Sequence, residues 1–342
     1  MNKSIASLPV SLCLLVLLTL CLLSASPAEA SVSWRLGHGR PVDSLLDKDM
    51  KEFAADVEKL TEGRVKIKVY PAGQLGTNEQ MMERVSMGSI EMVTGYPNPL
   101  LEPKLDVYCL PGLAKNYADL RKLFITGSPY MNLLADGFGS IDTHVLGSYM
   151  TAALVGMSFK ADPKNPLDFD SKHTEKIRVP SINSFRYTAE TIGYLTTPLP
   201  WADVFTALQT GVIDGNYGSA AEPTYTQLRD VIKAYLALNV QADMFFILVN
   251  RDLFAKLPEK DRGIISRIAS DLEKARFVKA EKEQETWEKR LTDAGIKVYR
   301  PKPEQSEQLQ KKIQDEIWPK IGQQYDKAYF EHVMRAWMDS MN

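Results

Sequence analysis

Stretches with helical hydrophobic period alternate with stretches of strand period along most of this chain, which restricts it to an α/β architecture. Leu45, Leu46, Met50, Phe53, Val57 and Leu60 recur at helical spacing, Gly63 supplies a stop, and Val65, Ile67 and Val69 then alternate as a strand. Asn78 stands where it can cap a second helix through Met81, Met82 and Val85, and Gly88 leads into a short strand over 90–93. Further strand-like runs fall at 145–146, 177–179, 235–238 and 245–249. Such alternation builds mostly parallel sheets covered by helices.

The stretch 258–291 breaks the rhythm, because it lacks an internal proline and is dense in Glu, Lys and Arg. Ile264, Ile265, Ile268, Leu272 and Ala275 form an apolar stripe, extended by Trp287 and Leu291. A coiled-coil segment is the competing reading, but the stripe does not keep heptad spacing. One helix long enough to touch two lobes fits better. A strand-like piece at 296–299 ends at Pro301 and Pro303, and the tail from Glu304 returns to amphipathic helix with Trp318 and Trp337.

Residues 1–30 have the pattern of a cleaved export signal. Lys3 opens it, residues 8–23 are apolar, and A-E-A at 28–30 is a small-x-small site, so the mature chain is expected to begin at Ser31 in the periplasm. A membrane anchor competes, but the apolar run is short for a span; Cys21 follows bulky Leu20, which argues against lipidation. Of three cysteines only Cys109 remains after cleavage, which leaves no internal disulfide and no cysteine zinc site. Its setting, V-Y-C-L, reads as a buried structural thiol. With 41 basic and 43 acidic residues there is no basic footprint for nucleic acid. The remaining length, roughly 310 residues, suits two lobes of about 150 each. Their expected division is 31–155 with 242–280, then 156–241 with 281–320, and a helical tail at 321–342.

Catalytic signatures are missing: the chain has no G-x-S-x-G, H-E-x-x-H, C-x-x-C, S-x-x-K or phosphate-cradling glycine loop. His144, His173 and His332 are scattered in surface or strand-edge contexts, so neither a metal site nor a cofactor is expected. A two-lobed exported chain without such motifs is most simply a non-enzymatic binder that closes over its solute. K-I-R-V-P at 176–180 supplies the candidate hook. An isolated cation in an apolar strand is costly unless an anion meets it, so Arg178 is expected to receive a carboxylate, with an internal Asp or Glu partner as the alternative.

Several segments resemble the solute-binding subunits of TRAP (tripartite ATP-independent periplasmic) transporters, the dicarboxylate-binding-protein (DctP) family. They are K-I-R-V-P, P-L-P-W-A-D-V-F at 198–205, T-A-L-Q-T-G-V-I-D-G at 206–215, Y-P-A-G-Q-L-G at 70–76, M-G-S-I-E at 87–91, Val249-Asn250 and F-A-K-L-P at 254–258. The resemblance covers nearly the whole mature chain. It implies a two-lobed α/β periplasmic binding protein, type II-like, with crossing hinge strands and a long lobe-spanning helix. It further implies a clamp that delivers an organic acid to small and large membrane permease subunits driven by an ion gradient; the same fold can instead present its solute to a sensory receptor. A monomer is expected, and a swapped C-terminal helix would be the route to a dimer.

By that resemblance Arg178 forms a bidentate salt bridge with the solute carboxylate, and Trp201 is the usual pocket aromatic. Lys160 stands where relatives often carry a second arginine, or is a surface lysine. Tyr217 and Gly218 follow Asp214-Gly215-Asn216, which puts a ring where a polar side chain is usual. Tyr96 and Phe245 occupy positions that are polar in sialic-acid binders, although each ring also suits the core. His38 and Arg40 follow the first strand and are candidates to reach the cleft, with surface placement as the alternative favoured for Arg40. Asn183 and Arg186 could add donors, with helix capping by Asn183 or Ser184 as the alternative. Four rings around one cation suggest an aromatic or apolar monocarboxylate; a dicarboxylate or sugar acid is the other candidate.

Overall fold

The computed structural model describes residues 31–342 apart from residue 152; the expected signal segment lies outside the described residues. Among the described residues eleven strands form two mixed sheets. The first has the order β2-β1-β3-β10-β4, built from Val32–Gly37 (β1), Val65–Tyr70 (β2), Met92–Gly95 (β3), Thr143–Tyr149 (β4) and Phe245–Asn250 (β10). The second has the order β11-β9-β5-β8-β6-β7, from Val155–Phe159 (β5), Lys176–Val179 (β6), Leu195–Pro198 (β7), Gly215–Ala220 (β8), Ala234–Leu236 (β9) and Lys297–Tyr299 (β11).

Each sheet contains one strand antiparallel to both neighbours, β10 in the first and β5 in the second. These are the two strands that arrive from the other lobe without an intervening helix. A chain that crosses over enters the new sheet without the helical return that parallel pairing needs, so the sheets are less parallel than the alternation alone suggests. The crossings run side by side: Asp243 N–H donates to the Ala153 carbonyl at 2.8 Å, Val155 N–H to Gln241 at 3.0 Å, and Asn239 N–H to Val155 at 3.2 Å.

Helices cover the sheets: α1 (Leu45–Leu60), α2 (Asn78–Ser86), α3 (Tyr117–Phe124), α4 (Pro129–Gly139), α5 (Asn183–Thr191), α6 (Val204–Thr210), α7 (Glu259–Asp293), α8 (Pro303–Gly322) and α9 (Lys327–Met341). Helix α7 packs on β4 and α1 at one end and β11 at the other, so it spans both sheets. Its few apolar contacts are supplemented by buried polar anchors. Glu273 accepts from the Ser148 amide (2.7 Å) and hydroxyl (2.9 Å) and from the Thr126 amide and hydroxyl. Helix α2 is capped by Thr77, not Asn78: Thr77 and Gln80 form a reciprocal capping box. Asn78 is the first helical residue, and its amide donates to the Tyr96 carbonyl at 2.9 Å. The tail splits in two, with Asp326 capping α9, and the Trp318 and Trp337 rings meet edge to face at 5.1 Å.

Cys109 is buried, as its setting suggests, and burial pushes its thiol well up. Nearby Asp106 is also buried, its side chain takes no hydrogen bond among the described residues, and desolvation raises its pKa to about 7. A carboxyl whose folded pKa lies above its unfolded value of 3.8 stabilises the fold in its protonated form, and that contribution fades as pH rises from 4 through 7. Wild type is therefore expected to lose on the order of 2–4 kcal/mol between pH 5 and pH 8 relative to Asp106→Asn. Equal pH slopes in denaturant titrations of the two proteins would contradict this.

Candidate functional site

Arg178 stands on β6, paired in register with Thr197 and Asn216 of the flanking strands. It is 4% exposed. Two of its three nitrogens are used: Nε donates to the Leu199 carbonyl at 2.7 Å and Nη1 to Asn216 Oδ1 at 3.2 Å. The proline frame explains the first bond. Pro198 and Pro200 have no N–H, which leaves Leu199 to tie the segment down through its amide to Val179 (3.1 Å) and its carbonyl to the guanidinium. The second is fixed by a relay, since Asn216 Nδ2 donates to Ser219 Oγ at 2.9 Å and thereby turns its oxygen toward Arg178.

Nη2 donates to no protein group and Arg178 enters no ion pair among the described residues. Burial lowers its pKa to about 10, against the upward pull of Tyr96, Asp243 and Glu79, so it keeps its charge at neutral pH. A cation held this way, with an unused donor edge, is suited to a carboxylate. Trp201 lies beside it, its ring centroid 5.8 Å from the guanidinium carbon, and its indole N–H donates to Gln227 at 3.1 Å.

The other lobe contributes a more polar wall than four rings would make. Tyr96 follows β3, donates its hydroxyl to Glu79 at 3.1 Å, and meets Phe245 edge to face at 6.0 Å. Arg40 lies over Phe245, 4.8 Å from the ring centroid, and pairs with Asp243 at 3.0 Å. It is thus part-buried, not a surface residue. Burial raises the Asp243 carboxyl, offset by Arg40 and then Arg178.

Five expected contacts fall elsewhere. Tyr217 alternates to the opposite side of β8 from Asn216, is fully buried, packs on Phe185 and donates to Gln241 at 2.7 Å. Lys160 lies beyond the end of β5, exposed, with its ammonium 3.4 Å from the Gln209 carbonyl. Asn183 is exposed and bonds Gln324 at 3.1 Å; helix α5 has no side-chain cap, and Ser184 faces Cys109 and Gln241. His38 is buried against Asp47 at 3.3 Å, and desolvation lowers its pKa. Gly218 is backbone structure, with φ +106, which L side chains rarely adopt, and a Cβ there would sit a tight 3.0 Å from Pro180. Lys160→Ala is accordingly expected to leave solute affinity within twofold by calorimetry; a tenfold loss would return that lysine to the site. Asn216, Asp243, Glu79 and Gln227 were not picked out by sequence pattern, although Asp243 could have been noticed as an acid directly before the apolar run of β10.

Among the described residues no group of side chains could hold a metal ion, and no helix is long and apolar enough to cross a membrane. The family model for bacterial extracellular solute-binding proteins, family 7 (DctP), matches residues 36–324. The chain belongs to that family. It is a TRAP transporter solute-binding protein, whose relatives bind organic acids. It is 23% identical over 310 residues to the sialic acid-binding periplasmic protein SiaP of Vibrio cholerae, covering 89% of this chain and 94% of that one. In fold it is similar to a TRAP periplasmic solute-binding protein of Chromohalobacter salexigens with bound D-glucuronate (TM-score 0.80, 23% identity, 90% of this chain and 99% of that one). A Desulfovibrio salexigens homologue with bound orotic acid aligns at TM-score 0.76 with 21% identity, over 89% of this chain and 99% of that one.

Proposed function

We propose that this solute-binding protein captures a polar organic acid, a sugar acid or dicarboxylate, in the periplasm and hands it to the permease subunits of a TRAP transporter. The observation that carries the reading is the buried Arg178 with an unused donor edge and no ion pair among the described residues. The polar companions Asn216, Asp243, Glu79 and the Tyr96 hydroxyl favour a hydroxylated solute over an apolar one. D-glucuronate on one homologue of the same fold points the same way. The aromatic-acid expectation loses its basis because Tyr217 is core and Phe245 is already covered by Arg40 and Tyr96.

A thermal-shift panel of D-glucuronate, D-galactonate, succinate, orotate and indole-3-acetate tests it, since a solute that binds only the folded state raises the midpoint. Stabilisation by a sugar acid or succinate is the expected result. Stabilisation by indole-3-acetate alone would overturn the choice of solute, and no stabilisation by any acid would count against the reading itself.

A further inference from the structure

Asn216 presents its amide oxygen to Arg178, and the direction of that amide is dictated from a turn beyond the expected site. The series of bonds starts at the Ala220 carbonyl, which can only accept. Thr224 Oγ1 donates to it at 2.8 Å, so the Thr224 oxygen is left to accept from Ser219 Oγ at 2.9 Å. The Ser219 proton is thereby committed, and Ser219 Oγ accepts from Asn216 Nδ2 at 2.9 Å, which leaves Oδ1 to face Arg178 Nη1 at 3.2 Å. Every bond in the series runs one way. Asn216, Ser219 and Thr224 are all buried, so solvent does not compete for these groups. Thr224 opens the single π-helical turn Thr224–Leu228, a rare conformation often found at functional sites. Gln227 of the same turn accepts from the Trp201 indole at 3.1 Å, and Tyr225 seats the turn on α7, its ring centroid 5.7 Å from that of Trp287. One turn therefore reaches Arg178, through Ser219 and Asn216, and also the ring beside it.

We propose that Ser219 and Thr224 are positioning residues for solute recognition, which set the carboxylate affinity of Arg178 by holding Asn216 with its oxygen toward the guanidinium. This rests on the organic-acid reading and deepens it. Without the Ser219 acceptor the Asn216 amide is free to turn over, and its NH2 then meets the guanidinium donor to donor. Arg178 keeps only the Leu199 carbonyl, and its unused edge loses its fixed direction. A bidentate contact with a carboxylate depends on that direction, whereas contacts with the rest of the solute do not.

The test is calorimetric titration of the full chain with D-glucuronate, D-galactonate or succinate, whichever binds wild type tightest, and with its amide, the diamide in the case of succinate. Ser219→Ala is expected to weaken the acid roughly fivefold or more and to leave the amide within about twofold, so the acid loses much of its advantage over the amide. On an Arg178→Ala background, Ser219→Ala should cost nothing further, because the residue it positions is gone. Thr224→Val, which keeps the volume and removes the hydroxyl, is expected to repeat the acid-selective loss to a smaller extent, and Thr224→Ser, which keeps the hydroxyl, to bind like wild type. A merely structural role would weaken acid and amide alike, or would persist without Arg178, and either result would overturn the inference. So would acid binding unchanged in Ser219→Ala. All three results leave the organic-acid reading intact, since the acid still binds wild type. Should Ser219→Ala fail to fold, the acid and amide affinities of Thr224→Val against Thr224→Ser decide. If none of the three acids binds wild type, the organic-acid reading fails and this inference with it.

Discussion

Arg178→Ala is expected to weaken organic-acid binding by about 2–5 kcal/mol, on the order of thirtyfold to several thousandfold, without destabilising the empty protein. The two effects separate because of what Arg178 does before solute arrives. It is a buried cation with no acid partner among the described residues, held by one carbonyl and one carboxamide. Desolvation is a cost the folded protein carries, and deleting the charge removes that cost along with two hydrogen bonds. The unliganded thermal midpoint should therefore stay within the equivalent of about 1 kcal/mol. Arg178→Lys keeps the charge but loses the fork, and an intermediate loss of roughly tenfold or more is expected. A large fall in unliganded stability with unchanged affinity would mark Arg178 as a structural residue instead.

Arg276→Met should show the opposite pattern. Arg276 is one of the largest fully buried side chains, and it joins three elements at the lobe crossing. Its Nε donates to the Met150 carbonyl at 2.8 Å, Nη1 donates to Glu283 at 3.0 Å and stands 3.6 Å from Asp49, and its Cζ lies 5.5 Å from the Tyr149 ring centroid. Tyr149 in turn donates to Asp49 at 2.8 Å. Removing the cation leaves two part-buried carboxylates facing each other and a carbonyl unpaired, which typically costs about 3–5 kcal/mol. Denaturant unfolding should record that loss, and a change below about 1 kcal/mol would show that the crossing is held by the Glu273 bonds and backbone ladder alone.

The two predictions depend on arginines of very different visibility in sequence. Arg178 announces itself as a lone cation between Ile177 and Val179, so strand period alone isolates it. Arg276 hides in a helix with many charges, where nothing in the pattern distinguishes a buried guanidinium from a solvated one. The same difference runs through the fold. Helix α7 was legible over 258–291 because proline is absent and apolar residues recur, and it runs over Glu259–Asp293. The antiparallel insertion of β5 and β10 was not, because sequence reports which residues alternate but not which lobe a strand comes from. At the site, Tyr217 misled because the D-G-N-Y-G segment gives composition without the side of the strand; β8 sends Asn216 to Arg178 and Tyr217 to Gln241. Arg40 and Asp243 meet from distant segments, which single-sequence reading cannot join.

The central claim is that a solute carboxylate meets the unused edge of Arg178, and replacing that carboxylate on the ligand tests it most directly. D-glucuronate and D-glucuronamide differ only by the acid group, so their affinities for wild type and for Arg178→Ala close a cycle. The amide is expected to bind wild type at least thirtyfold more weakly than the acid, with no further loss on Arg178→Ala. Equal binding of acid and amide to wild type would contradict the account.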